Sequence, residues 1–181
     1  MPEPHRRLVE KITEPGYADG LTEKGLDDLR AMRDECREGE NELSFERRLC
    51  HARIDILNAE LDRRSGKSTG DLVDRLPEIL GEGRERTASD SPLPERAPDF
   101  SIPRNVDVPR RRVEEIAGEQ NIARLAQMSP EEIKETIRSL AELERAVSER
   151  RRVIHDVMDA VQAEIVRRYT SGEADPTAAL H

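Results

Sequence analysis

The chain has 181 residues, of which 38% are charged and 2% aromatic, with no tryptophan. Large apolar side chains are too scarce for a thick globular core, whereas a narrow helix–helix seam needs only Leu, Ile, Val and Ala at regular intervals. The net charge of −9 disfavours a protein that lives by non-specific attachment to nucleic acid, whose phosphates an acidic surface repels.

In chain order, residues 1–20 are polar and broken by Pro2, Pro4, Pro15 and Gly16; they read as a disordered arm without the apolar core of a signal peptide. With Thr22 as its N-cap, a first coiled-coil helix is predicted over 21–64, about 60 Å long. Cys36 and Cys50 both fall on it, about 21 Å apart, too far to bridge. Reduced thiols and a cytoplasmic location are expected. A turn and a short helix are predicted over 65–80, with Pro77 as an irregularity. Residues 81–108, carrying Pro92, Pro94, Pro98 and Pro103, read as a flexible Pro/Ser/Arg-rich linker. A short helix over 109–126 follows, with Pro109 in its first turn and Arg110–Arg112 as a charge cluster at its start. Ser129-Pro130-Glu131-Glu132 is a helix start, with Ser as cap and acids beside the positive end of the dipole. It opens a second coiled-coil helix over 129–169, and 170–181 read as a disordered tail. No run of about 18 apolar residues occurs, so no membrane span is predicted. The predicted fold is all-α: two long helices in an intramolecular antiparallel coiled coil, with short connecting helices and a disordered linker.

The two long helices repeat each other. Aligned without gaps at an offset of 104, Ser44–Arg64 and Ser148–Arg168 share Ser44/Ser148, Arg47/Arg151, Arg48/Arg152, His51/His155, Asp55/Asp159, Ala59/Ala163, Glu60/Glu164, Arg63/Arg167 and Arg64/Arg168. Glu40/Glu144 extends the match upstream. One heptad row is wholly apolar in each: Leu29, Cys36, Leu43, Cys50 and Leu57, then Ile133, Leu140, Val147, Ile154 and Val161. The companion row is apolar at its ends and charged in its middle, at Glu40 and Arg47 in the first helix and Glu144 and Arg151 in the second. Burying ions where Leu would pack gains a coiled coil little. Two consecutive charged seam positions, altered alike on both strands, point to a seam that opens to hold something polar.

On a helix, Glu40, Ser44, Arg47, His51 and Asp55 lie in one stripe of roughly 80° over about 22 Å, and Glu144, Ser148, Arg151, His155 and Asp159 repeat it. The donor and acceptor set suits a guanine nucleotide. A guanidinium fork can bond guanine O6 and N7 or stack on the ring. A carboxylate can accept from guanine N1–H and N2–H₂, and Ser and His can donate to phosphate oxygens. The duplicate set suits a ligand with two-fold symmetry, or a pair of ligands, if the helices run antiparallel.

The spacing resembles Glu-x3-Ser-x2-Arg-x3-Gln-x3-Asp, once per strand, of the cyclic-di-GMP-binding anti-sigma factors of the RsiG family in actinobacteria. Glu-Leu-Ser-Phe-Glu-Arg-Arg-Leu (42–49), Arg-Ile-Asp-Ile-Leu (53–57) and Ala-Glu-Ile-Val-Arg-Arg-Tyr (163–169) are also similar to family sequence. The resemblance implies a coiled coil that binds an intercalated cyclic-di-GMP dimer and, so armed, sequesters a sporulation sigma factor of the WhiG type, repressing developmental genes. It implies that the ten residues of the two motifs contact the nucleotide. No catalysis, metal, membrane or direct nucleic-acid contact is expected, and a monomer in the absence of sigma. His51 and His155 stand where the family has Gln; histidine ordinarily protonates at about pH 6.5, so affinity is expected to depend on pH.

Other readings of the same residues are weaker. A scaffolding coiled coil without ligand would use the charged seam positions to fix register. A metal pair at His51 and His155 lacks a third His on either helix. A Ser148–His155–Asp159 triad fails because residues along one helix stripe do not converge around an oxyanion hole. The cysteines fall in the apolar row and read as core fillers.

Overall fold

The computed structural model describes residues 8–66 and 101–173. The helices are α1 (Leu8–Ile12), α2 (Leu26–Arg64), α3 (Asp107–Ala117), α4 (Glu119–Ala123) and α5 (Pro130–Thr170), with 3-10 turns at Leu21–Glu23 and Leu125–Gln127. No strand occurs among the described residues. The expected all-α fold of two long antiparallel helices packed together is the fold observed.

The apolar heptad row explains the pairing. Leu29, Cys36, Leu43, Cys50 and Leu57 of α2, with Ile133, Leu140, Val147, Ile154 and Val161 of α5, are each 0–1% exposed. At about 25 cal/mol per Å² of apolar surface removed from water, these ten side chains are the main source of helix pairing. The helix start at Ser129 is a capping box: the Ser129 N–H donates to Glu132 Oε2 (2.6 Å) and the Glu132 N–H to Ser129 Oγ (3.2 Å). Gly66 and Gly172, at φ 72 and 75, take the left-handed conformation just beyond the two helix ends.

The described residues form two compact units, one from residues 8–44 and 148–173, the other from 45–66 and 101–147. In the first, the opening half of α2 runs antiparallel to the closing half of α5. Leu29, Val161 and Ile165 form its core with Leu21, Leu26, Met32, Val157 and Tyr169 around them, and Arg30 Nη2 donates to Tyr169 Oη. α1 packs here, with Val9 and Ile12 buried and Lys11 paired with Glu35 at 2.7 Å. In the second, the closing half of α2 meets the opening half of α5. Cys50, Leu57, Leu140 and Ile133 pack with Val113 and Ala117 of α3 and with Leu125.

Both units are built alike, and the duplication is longer than the motif. Leu8-Val9-Glu10-Lys11-Ile12 stands 104 residues before Arg112-Val113-Glu114-Glu115-Ile116, with Val, Glu and Ile shared, and Leu21 stands 104 before Leu125. At the end of each long helix a Glu-x2-Arg-Arg set clamps the turn that leads into the other. Glu60 accepts from Arg63 and Arg64, while Arg64 donates to the carbonyls of Leu125 (2.7 Å) and Met128 (2.5 Å). Glu164 accepts from Arg167 and Arg168, while Arg168 donates to the carbonyls of Leu21 (3.0 Å) and Thr22 (3.1 Å).

These details correct several expectations. Residues 8–20 are not a disordered arm: α1 is anchored by two buried side chains, and Tyr17 Oη donates to Glu35 at 2.7 Å. The first long helix does not start with Thr22 as cap. Arg168 holds the Leu21 and Thr22 carbonyls in a 3-10 turn, so α2 begins at Leu26. The helix expected over 109–126 starts at Asp107, inside the expected linker, and breaks at Gly118, whose backbone is extended (φ −70, ψ 173). Residues 171–173 are tied back, Glu173 to Arg167 at 2.8 Å. The short helix expected before residue 80, most of the linker and the tail beyond 173 lie outside the described residues.

Candidate functional site

The charged middle of the seam is resolved within each unit by itself. In the first, Glu40 Oε1 is a focus of three donors. Ser44 Oγ donates to it from the next turn (2.7 Å), Arg151 Nε donates from the facing helix (2.8 Å), and His155 Nε2 lies 3.5 Å away. Arg151 Nε also donates to Ser44 Oγ at 3.0 Å. Burial pushes the Glu40 carboxyl up, but the bonds from Ser44 and Arg151 and the Arg151 charge outweigh it and hold the group below the usual carboxylate range.

In the second unit, Arg47 Nε lies 3.2 Å and His51 Nε2 3.4 Å from Glu144 Oε1. The arrangement is the same with the helices exchanged: the Glu of one meets the Arg and His of the other. It is looser and wetter. Arg47 and Glu144 are 37% and 24% exposed, against 30% and 18% for Arg151 and Glu40.

Of the ten residues expected from the two motifs, seven therefore fall into two cross-helix clusters: Glu40, Ser44, Arg151 and His155, then Glu144, Arg47 and His51. Ser148 is half-buried and Asp159 exposed, and each has an interaction partner of its own. Asp55 is half-buried on α2, four residues beyond His51. Sequence reasoning placed each motif on its own helix and missed the crossover. The register that sets it depends on how the two apolar rows interleave, which neither helix encodes alone.

Other charged groups are structural. The buried Glu46 (0% exposed) receives Arg112 at 3.3 Å, and Arg110 pairs with Glu114 at 2.6 Å, so two of the three arginines at 110–112 are engaged internally. Burial, then the Glu35 charge, pushes the Cys36 thiol up to about 11. Burial, then the charges of Glu46 and Glu144, pushes Cys50 up to about 12. Both are protonated core fillers, far from a reactive thiolate. Among the described residues there is no group of three or more His, Cys, Asp or Glu able to hold a metal, and no helix long and apolar enough to cross a membrane.

An antiparallel helical pair with carboxylate, guanidinium and imidazole gathered twice at its seam, and a hydroxyl at the first of the two, is equipped to bind a polar ligand. The chain belongs to the RsiG-like family, whose model matches residues 15–80 and 119–180, well over half of its length. The matched stretches contain the two long helices. That family consists of anti-sigma regulators and is not an enzyme class, which makes a sigma factor the implied partner. No curated protein matches the chain.

Proposed function

We propose that the protein is a cytoplasmic, cyclic-di-GMP-binding anti-sigma factor that sequesters a sporulation sigma factor of the WhiG type and so represses developmental genes. The observation that carries the nucleotide part is the duplicated cluster of Glu, Arg and His across the seam, at 2.8 Å for Arg151–Glu40 and 3.2 Å for Arg47–Glu144. The chemistry fits the ligand. Guanidinium forks bond guanine O6 and N7, stack on the ring or take phosphate; a carboxylate accepts from N1–H and N2–H₂; Ser and His serve phosphate oxygens. Glu40, Ser44, Arg47, His51 and Asp55, with Glu144, Ser148, Arg151, His155 and Asp159, would hold the nucleotide. The duplication matches a ligand with two like halves, or two ligands.

A second reading has its own observation. The Arg–Glu pairs already neutralise the seam, as they would in a scaffolding coiled coil whose charged positions only fix register. Calorimetric titration with cyclic-di-GMP separates the two. The intact chain is expected to bind, and Arg47→Ala with Arg151→Ala to lose binding by at least about a hundredfold, two charge-assisted contacts being removed. Helicity by circular dichroism should be retained. No heat of binding to the intact chain would leave the scaffold reading.

A further inference from the structure

We propose that Glu40 and Glu144 are placeholder anions: each occupies, from the facing helix, the guanidinium that a negatively charged ligand needs, so that only a ligand able to replace both members of the pair is admitted. The proposal rests on the guanine-nucleotide reading and deepens it, from recognition to how the site refuses other anions.

The geometry sets the terms. The Arg151 Nε–H is committed to Glu40 Oε1 (2.8 Å) and Ser44 Oγ (3.0 Å), and Arg47 Nε lies 3.2 Å from Glu144 Oε1. A phosphate that draws Arg151 away removes the countercharge from a carboxylate only 18% exposed. A half-buried carboxylate left without that partner is costly, and the neutral hydroxyl of Ser44 does not replace a full positive charge. A ligand carrying negative charge alone therefore gains one contact and breaks another.

A guanine nucleotide escapes this penalty. Its phosphate takes the guanidinium, while its N1–H and N2–H₂ edge gives the released carboxylate two donors. Adenine presents an acceptor at N1, and inorganic pyrophosphate presents no base. Selectivity arises from what each wrong ligand would leave unpaired, the repulsive half of specificity. The same logic holds separately in the second unit for Glu144, Arg47 and His51.

The test uses the full chain with E40Q, E144Q and the double substitution, each keeping side-chain shape while removing the negative charge. The first readout needs no nucleotide: the Nε–H signals of Arg47 and Arg151 by ¹H–¹⁵N NMR. E40Q should shift and speed the exchange of Arg151 alone, E144Q that of Arg47 alone, so the single variants decide the matter even if the double variant does not fold. The second readout is pyrophosphate binding by calorimetry, expected to tighten roughly tenfold in the double variant as two partly exposed ion pairs are released. Cyclic-di-GMP should weaken in the same variant. Unchanged Nε–H signals, or pyrophosphate binding equal to that of the unaltered chain, would overturn the placeholder role. Failure of the unaltered chain to bind cyclic-di-GMP would instead overturn the guanine reading, with the signals and pyrophosphate still deciding whether the glutamates cover the arginines.

Discussion

Glu60 shows how much one carboxylate can organise in so charged a chain. It is 3% exposed, yet Arg63 donates to it at 2.7 and 2.8 Å and Arg64 at 2.6 Å. The Arg63 hydrogen bonds, against the opposing pull of burial and with help from Arg64, hold its carboxyl down at about 2. Glu164, with Arg167 and Arg168, is held at about 2 in the same way. Because the folded value lies below the ordinary 4.5, the stability these groups contribute is present in full above 4.5 and is lost as pH falls towards 2. Urea denaturation midpoints should fall between pH 4.5 and 2, and Glu60→Gln with Glu164→Gln should flatten that limb. At pH 7 Glu60→Gln should cost about 1–3 kcal/mol, since Arg64 would then hold the Leu125 and Met128 carbonyls without its own support. An acid limb as steep in the double variant as in the unaltered chain would place the titrating group elsewhere.

At the scale of elements, Gly39 explains how α1 comes to lie against α2. A Cβ at this mid-helix position would come within 3.0 Å of Ile12 Cδ1 and 3.2 Å of Ile154 Cδ1. The helix thus tolerates a residue costing about 1 kcal/mol of propensity relative to Ala because the space is filled by α1. Gly39→Leu should expel Ile12, undock α1 and cost roughly 2–4 kcal/mol through loss of Val9 and Ile12 burial. Hydrogen exchange should then rise at residues 9–13 while most α2 and α5 amides stay protected. Retained protection at Ile12 would show that Gly39 is not what seats the short helix. This element also marks the limit of what the sequence discloses. The long helices were legible because an apolar residue every seventh position survives in both and Ser129-Pro130-Glu131-Glu132 announces a start. α1 spans five residues, too few for any periodicity, and lies among prolines and glycines that read as a free arm. The signal that would have found it is the duplication itself: Val9, Glu10 and Ile12 reappear as Val113, Glu114 and Ile116 in α3. The candidate site was legible as a set of residues but not as a set of contacts. A stripe on one helix says nothing of which facing side chain its Glu will meet.

For the whole molecule, the question is how a nucleotide bound to one partner changes grip on another. Membership of an anti-sigma family implies one binding event, that of sigma, and the function proposed adds a second, that of cyclic-di-GMP. If the nucleotide strengthens the complex with sigma, sigma must strengthen nucleotide binding by the same factor, because both routes lead to one ternary state. A coupling of about 1–3 kcal/mol is typical, or roughly 5- to 150-fold. The placeholder pairs give that coupling a physical source. The nucleotide must supply the free energy to separate Arg151 from Glu40 and Arg47 from Glu144, and a partner that prefers the separated arrangement relieves it of part of this cost. Two titrations of cyclic-di-GMP, with and without saturating sigma, should therefore differ by at least about fivefold in Kd, and E40Q with E144Q, in which the pairs are already opened, should show a smaller ratio. Identical affinities in the presence and absence of sigma would uncouple the two events, leaving a nucleotide site and a sigma surface that share a chain but not a mechanism.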